Sequence, residues 1–147
     1  MNIEIRYQSR GGNTKAVAEE IAKEFNIECK TIETPINEYI DILFIGGGVY
    51  KWDADEKLIE FLKKLDNRKV GEVVAFSTTG VMKVAITRIK EYSQKVGIKV
   101  SKNELLLKMM LQGHSALGRV GGNLTTEQKE KIKEFCEDVK KEKINII

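Results

Sequence analysis

The sequence predicts an α/β fold: a doubly wound, five-stranded parallel sheet with helices on both faces. Three observations predict it. Strand-like runs alternate with runs of helical periodicity along the whole chain. Ile42 to Ile45 is apolar at every position, as a central parallel strand covered on both faces must be. Glycines and hydroxyl residues follow directly after the first, third and fourth strand patterns. The 147 residues suffice for one domain with its own core, and residues 1–147 are read as a single domain.

Taken in order, Ile3, Ile5 and Tyr7 alternate with polar residues and mark the first strand. A glycine turn follows, and then Val17, Ala18, Ile21, Ala22 and Phe25 recur at helical spacing. Ile27 to Ile32 reads as the second strand, and Ile42 to Ile45, ended by Gly46-Gly47-Gly48, as the third. Leu58, Ile59, Leu62 and Leu65 mark the second helix, and Val70 to Phe76 the fourth strand. Ile86, Ile89, Tyr92 and Val96 give a third helix that Gly97 stops. The stretch from Ile98 to Leu111 holds the fifth strand, and Gly113, Gly118, Gly121 and Gly122 make the longest loop. Thr125 has N-cap character with Gln128 at capping-box distance, and the last helix turns Ile132, Phe135, Cys136 and Val139 inward.

Composition excludes several classes. With 41% hydrophobic and 32% charged residues, the chain can offset its ordering entropy and is not disordered. No apolar run approaches the roughly 18 residues of a membrane span, and the charged start does not read as a signal peptide. Cys29 and Cys136 cannot make a disulfide framework, and no Cys/His cluster has metal-ligand spacing. A cytoplasmic setting is expected.

The net charge of +3 is unevenly spread. Up to Asp66 there are 9 basic and 13 acidic side chains; beyond it, 16 basic and 9 acidic. The basic excess is densest from Lys83 to Lys108. It reads first as a solvated lysine-rich surface and second as a dock for an acidic or phosphate-bearing partner. Nucleic acid is not expected, because no aromatics interleave with this run. Glu4, Arg6, Glu28 and Lys30 sit awkwardly in strands one and two. An unpaired buried charge is costly, so the four are expected on one face as a partly solvated network.

Ligands of doubly wound sheets bind beyond the carboxyl ends of the strands, which directs attention to three loops. Ser9-Arg10-Gly11-Gly12-Asn13-Thr14 joins a strand to a helix. Its hydroxyls, glycines and helix start can converge N–H groups and positive dipole on an anion. The pattern is neither a Walker loop nor GxGxxG. The competing reading is an ordinary glycine turn capped by Asn13 or Thr14.

On these residues the sequence resembles the flavodoxin family, whose first loop follows T/S-x-T/S-G-x-T. Ser9, Gly12, Asn13 and Thr14 match, and Gly11 replaces a customary hydroxyl residue. The resemblance extends over the whole chain in element order and loop positions. It implies strand order 2-1-3-4-5 and bound FMN, with the phosphate on Ser9 to Thr14. The second loop, with Val49, Tyr50, Lys51 and Trp52, would then flank the flavin ring, Tyr50 and Trp52 being the stacking candidates. The third, Ser77, Thr78, Thr79 and Gly80, would wrap its polar edge; Val81 and Met82 stand where many members carry an aromatic. Lys51 takes the place of a glycine whose peptide turns over on reduction, which implies a poorer separation of the two one-electron potentials.

The side chains themselves offer little acid–base chemistry. His114 is the only histidine and falls on the long loop; Cys29, Cys136, Met109 and Met110 read as packing residues. The resemblance therefore implies an FMN electron carrier serving redox partner proteins that dock near the flavin edge, as monomer or dimer. Asp53, Asp55 and Glu56 form a candidate acidic rim for such docking. Two alternatives remain on this fold. One is a flavin-dependent NAD(P)H/quinone reductase or protoporphyrinogen-oxidising enzyme, with Gly113 to Asn123 as a possible lid carrying His114 and Arg119. The other is a flavin-free binding module.

Overall fold

A computed structural model of the chain describes residues 1–50, 52–78, 83–109 and 123–144. The elements are β1 (Ile3–Tyr7), α1 (Asn13–Phe25), β2 (Lys30–Thr31), β3 (Ile40–Gly47), β4 (Val49–Tyr50), β5 (Asp53–Ala54), α2 (Glu56–Lys63), β6 (Val70–Ser77), α3 (Val84–Lys95), β7 (Lys99–Leu106) and α4 (Thr126–Ile144). β2-β1-β3-β6-β7 form one parallel sheet, and β4 and β5 a separate antiparallel hairpin. This is the expected order once the unforeseen hairpin is counted. β1 and β3 are neighbours, so the crossover direction reverses beside them and a crevice opens at their carboxyl ends.

Sheet alternation divides the core in two. Ile5, Phe44, Val74 and Phe76 face α1 and α4, where Phe25 and Phe135 pack on Phe44 at centroid distances of 5.2 and 5.9 Å. Leu43, Ile45, Val73 and Ala75 face α2 and α3, under Leu58, Leu62, Ile86 and Ile89. Gly46 and Gly47 are the last two residues of β3, which ends before Gly48 within the expected glycine run. A Cβ on Gly46 would lie 2.1 Å from the Phe76 ring, and one on Gly47 2.5 Å from Leu58, so both faces close onto bare backbone. Helix ends follow their local chemistry. The Thr125 hydroxyl accepts from Gln128 N while the Gln128 side chain accepts from Thr125 N, and Gly97, at φ 81°, ends α3.

The second strand is shorter than Ile27 to Ile32. Ile27 and Cys29 pack instead against the α1/α4 core, and only Lys30–Thr31 pairs with β1. From there to β3 the chain runs without a helix. This segment covers Arg6, which is 2% exposed and donates to Thr34 O and Pro35 O at 3.1 Å each and to Glu4 at 2.8 Å. Lys30 lies 4.0 Å from the same carboxylate. Three of the four awkward charges thus share a network. Arg6 within it is buried rather than partly solvated, and Glu28 is exposed outside it. Glu72, not singled out in the sequence, is a second buried charge. It is 2% exposed on the α1/α4 side, paired with Lys143 of α4, with Lys99 3.8 Å away.

Candidate functional site: three loops at the carboxyl edge of the sheet

The turn after β1 places Gly12 at φ 97°, as N-cap of α1. This left-handed conformation suits glycine and lets its carbonyl accept from Ala16 N at 3.0 Å. Ser9 Oγ braces the turn by accepting from Gly12 N at 3.1 Å. No side chain caps α1, and its first turn holds no acidic residue. The alternative of Asn13 or Thr14 as the cap therefore fails. α2 is the contrast: Asp55 caps it by accepting from Lys57 N at 2.9 Å, and Glu56 follows. Asp55 caps the start of α2 with its side chain, whereas the start of α1 has glycine at its cap position and no acidic residue against its positive end.

Asn13 and Thr14 tie this turn to its neighbours. Asn13 Nδ2 donates to Met109 O at 3.1 Å, beyond β7. The Thr14 and Thr78 hydroxyls share a hydrogen bond of 3.0 Å, both residues being buried. The first and third loops therefore meet through hydroxyls. Ser77 lies inside the sheet edge, wholly buried, its carbonyl accepting from Leu107 N. Thr79, Gly80, Val81 and Met82 lie outside the described residues, as do Lys51, Met110, His114 and Arg119.

In the second loop the hairpin points Val49 toward the α2/α3 core and leaves Tyr50 and Trp52 exposed, by 44% and 82%. Trp52 has φ 68°, unfavourable for an aromatic residue and imposed by the two-residue turn between Tyr50 and Asp53. Arg10, beside Gly11 in the first loop, lies over the Tyr50 ring, its guanidinium carbon 3.8 Å from the centroid. Its Nε donates to Asp55 Oδ2 at 2.5 Å.

The expected acidic rim is largely neutralised. Asp55 is 3% exposed and committed to Arg10 and Lys57 N. Burial opposes its ionisation, but the Arg10 and Lys57 hydrogen bonds outweigh burial and hold the carboxyl below the usual range. Arg88 donates to Asp53 at 3.0 Å, which, with the Ala54 amide, lowers that carboxyl too. Glu56 alone of the three is exposed as a residue. The structural importance of Asp55 and Arg88 was missed in the sequence. An Asp just ahead of a helical pattern was the available signal for the former; Arg88 carried none. Both cysteine thiols are pushed upward by burial, Cys136 to about 12, consistent with packing roles. Among the described residues no cluster of acidic, His or Cys side chains could hold a metal, and no helix is long and apolar enough to cross a membrane.

A doubly wound sheet, a helix start at its switch point with no acidic residue in its first turn and an exposed aromatic hairpin beside it define an α/β domain with its loops gathered at the carboxyl edge of the sheet. The flavodoxin domain pattern matches residues 4–145, and the chain belongs to that family. No curated protein sequence matches significantly. Among solved structures, the fold is similar to oxidised flavodoxin 2 from Bacillus cereus, with TM-score 0.68 and 17% identity over 97% of this chain and 99% of that one. It is also similar to a flavoprotein in complex with FMN from Lactobacillus acidophilus, with TM-score 0.59 and 19% identity over 74% and 94%. A third likeness is to an NADH:FMN oxidoreductase in its apo form, with TM-score 0.57 and 14% identity over 93% and 89%.

Proposed function

We propose that the protein is a single-domain, cytoplasmic FMN-binding electron carrier. The observation that carries the reading is the start of α1, uncapped by side chains, free of acidic residues in its first turn and flanked by buried hydroxyls. Such a site favours a phosphate dianion. The donor chemistry fits: Ser9 to Thr14 would hold the phosphate, Tyr50 and Trp52 would flank the ring, and Ser77 to Gly80 would meet its polar edge. Bound flavin supplies one- and two-electron transfer that none of these side chains can perform. The chain's own part is to bind, orient and partly dry the ring: the first turn fixes the phosphate, the hairpin offers aromatic surface, and the Thr14–Thr78 bond holds the first and third loops together. Redox partners would dock where Trp52 is exposed. Family membership and the likeness to an FMN complex support flavin as the ligand.

The test is reconstitution. Protein incubated with FMN and desalted is expected to keep a yellow, quenched flavin in stoichiometric amount. A colourless product would remove the reading and leave the flavin-free binding module. Steady NAD(P)H consumption with a quinone would instead place the chain among the reductases.

A further inference from the structure

We propose that Arg10 is a positioning residue that ties the anion-binding turn to the aromatic hairpin, so that the phosphate and ring halves of a flavin nucleotide bind as one unit. The inference deepens the flavin reading and rests on it. Arg10 belongs to the turn after β1, yet its side chain reaches to the second loop, with Nε on Asp55 and the guanidinium on the face of Tyr50. Asp55 is a fixed anchor. Its side chain is 4% exposed, and its other oxygen is engaged as the cap of α2. An arginine held by a rigid carboxylate loses less freedom when it also covers an aromatic ring, and the cation–ring contact is itself favourable.

The hairpin needs such support. β4 and β5 have two residues each and pair with each other outside the main sheet. A ribbon that short does not hold its own geometry. Arg88 grips it from α3 through Asp53, and Arg10 grips it from the anion turn at Tyr50. Asp55 already neutralises the Arg10 charge, so a phosphate would have to compete with a buried carboxylate for it. That favours a tether over a direct phosphate contact.

Two measurements test this. In the flavin-free chain, amide hydrogen exchange of residues 53–55 is expected to speed up severalfold in Arg10→Gln and Asp55→Asn, asparagine preserving the helix cap. Unchanged exchange overturns the tether. That readout needs no flavin, so it stands even if wild-type protein binds none, a result that would sink the functional reading separately. In flavin titrations, Arg10→Gln and Asp55→Asn are each expected to weaken riboflavin and FMN by a similar factor, roughly threefold to tenfold, with no further loss in the double variant. Arg10→Lys keeps the charge without the flat stacking and is expected to fall between wild type and Arg10→Gln. A loss confined to FMN, with riboflavin unaffected, would make Arg10 a phosphate ligand and overturn the proposal.

Discussion

Thr14 of α1 and Thr78 beyond β6 share a hydrogen bond of 3.0 Å although 64 residues separate them. Both are buried, at 3% and 7% exposure, where an unpaired hydroxyl is costly. The bond crosses from the turn after β1 to the loop after the fourth strand of the parallel sheet in chain order. It makes the spacing of these two loops a property of the protein rather than of its ligand.

Thr78→Val keeps the volume and strands the Thr14 hydroxyl. The flavin-free chain should lose about 1 kcal/mol in denaturant unfolding. FMN affinity should fall more than riboflavin affinity, because the disturbed hydroxyl belongs to the turn proposed to hold the phosphate. Adding Thr14→Val removes the stranded group, so stability should partly return while FMN binding stays weak. Parallel recovery of both would show that the pair serves folding alone.

Acid should loosen the second loop through Asp55. Its carboxyl titrates lower in the fold than the ordinary 3.8, so the unfolded chain takes up the proton first as pH falls. The stabilisation is complete above that ordinary value and disappears as pH drops through the lower folded one. Unfolding measured between neutral pH and about pH 3 should show an acid-side loss that is shallower in Asp55→Asn. Identical pH profiles would mean that other carboxylates govern the acid limb.

Strong periodicity made the fold legible, and short-range chemistry made the turn after β1 legible. β3 and β6 were readable because each carries an unbroken apolar run, Ile42 to Ile45 and Val73 to Phe76, that is buried on both faces, and α4 announced its start with Thr125 and Gln128. The hairpin was not readable: β4 and β5 are too short for any period, and Trp52 adopts a backbone that its residue type disfavours. The Arg6 and Arg10 contacts were hidden for another reason. Each reaches a partner 28 to 45 residues away, so no local spacing encodes it. Tyr50 was legible as a loop aromatic, but its cover by Arg10 was not. The loop from Gly113 to Asn123 has its described residues confined to Asn123, so its reading as a lid stands as an expectation.

Glu72 and Lys143 give an asymmetric pair. The carboxylate is buried in β6, whereas Lys143 keeps 21% of its side chain exposed. Lys143→Met should cost about 3 kcal/mol, since it leaves a buried charge whose remaining ion-pair partner among the described residues is Lys99 at 3.8 Å. Glu72→Met should cost less, because Lys143 can extend its ammonium into water. Urea unfolding of the two variants checks the order. A larger loss for Glu72→Met would mean that the lysine stem, not the carboxylate, is the sensitive partner.

Gly46 lets the Phe76 ring of the α1/α4 core pack over bare backbone. Its absent side chain leaves room for the Phe76 ring, which a Cβ would meet at 2.1 Å, closer than any real contact. Phe76 is wholly buried and backed by the α1/α4 core, so it has little room to withdraw. Gly46→Ala should therefore destabilise the chain by about 2 kcal/mol through overpacking. It should also shift the end of β3, and with it the hairpin carrying Tyr50, so flavin affinity should fall as well. Phe76→Leu in the same chain frees the space the ring occupied. The double variant is expected to be less destabilised than the two single losses added together, as measured by denaturant unfolding. Simple additivity would show that Gly46 is required for backbone conformation and not for the approach of the ring.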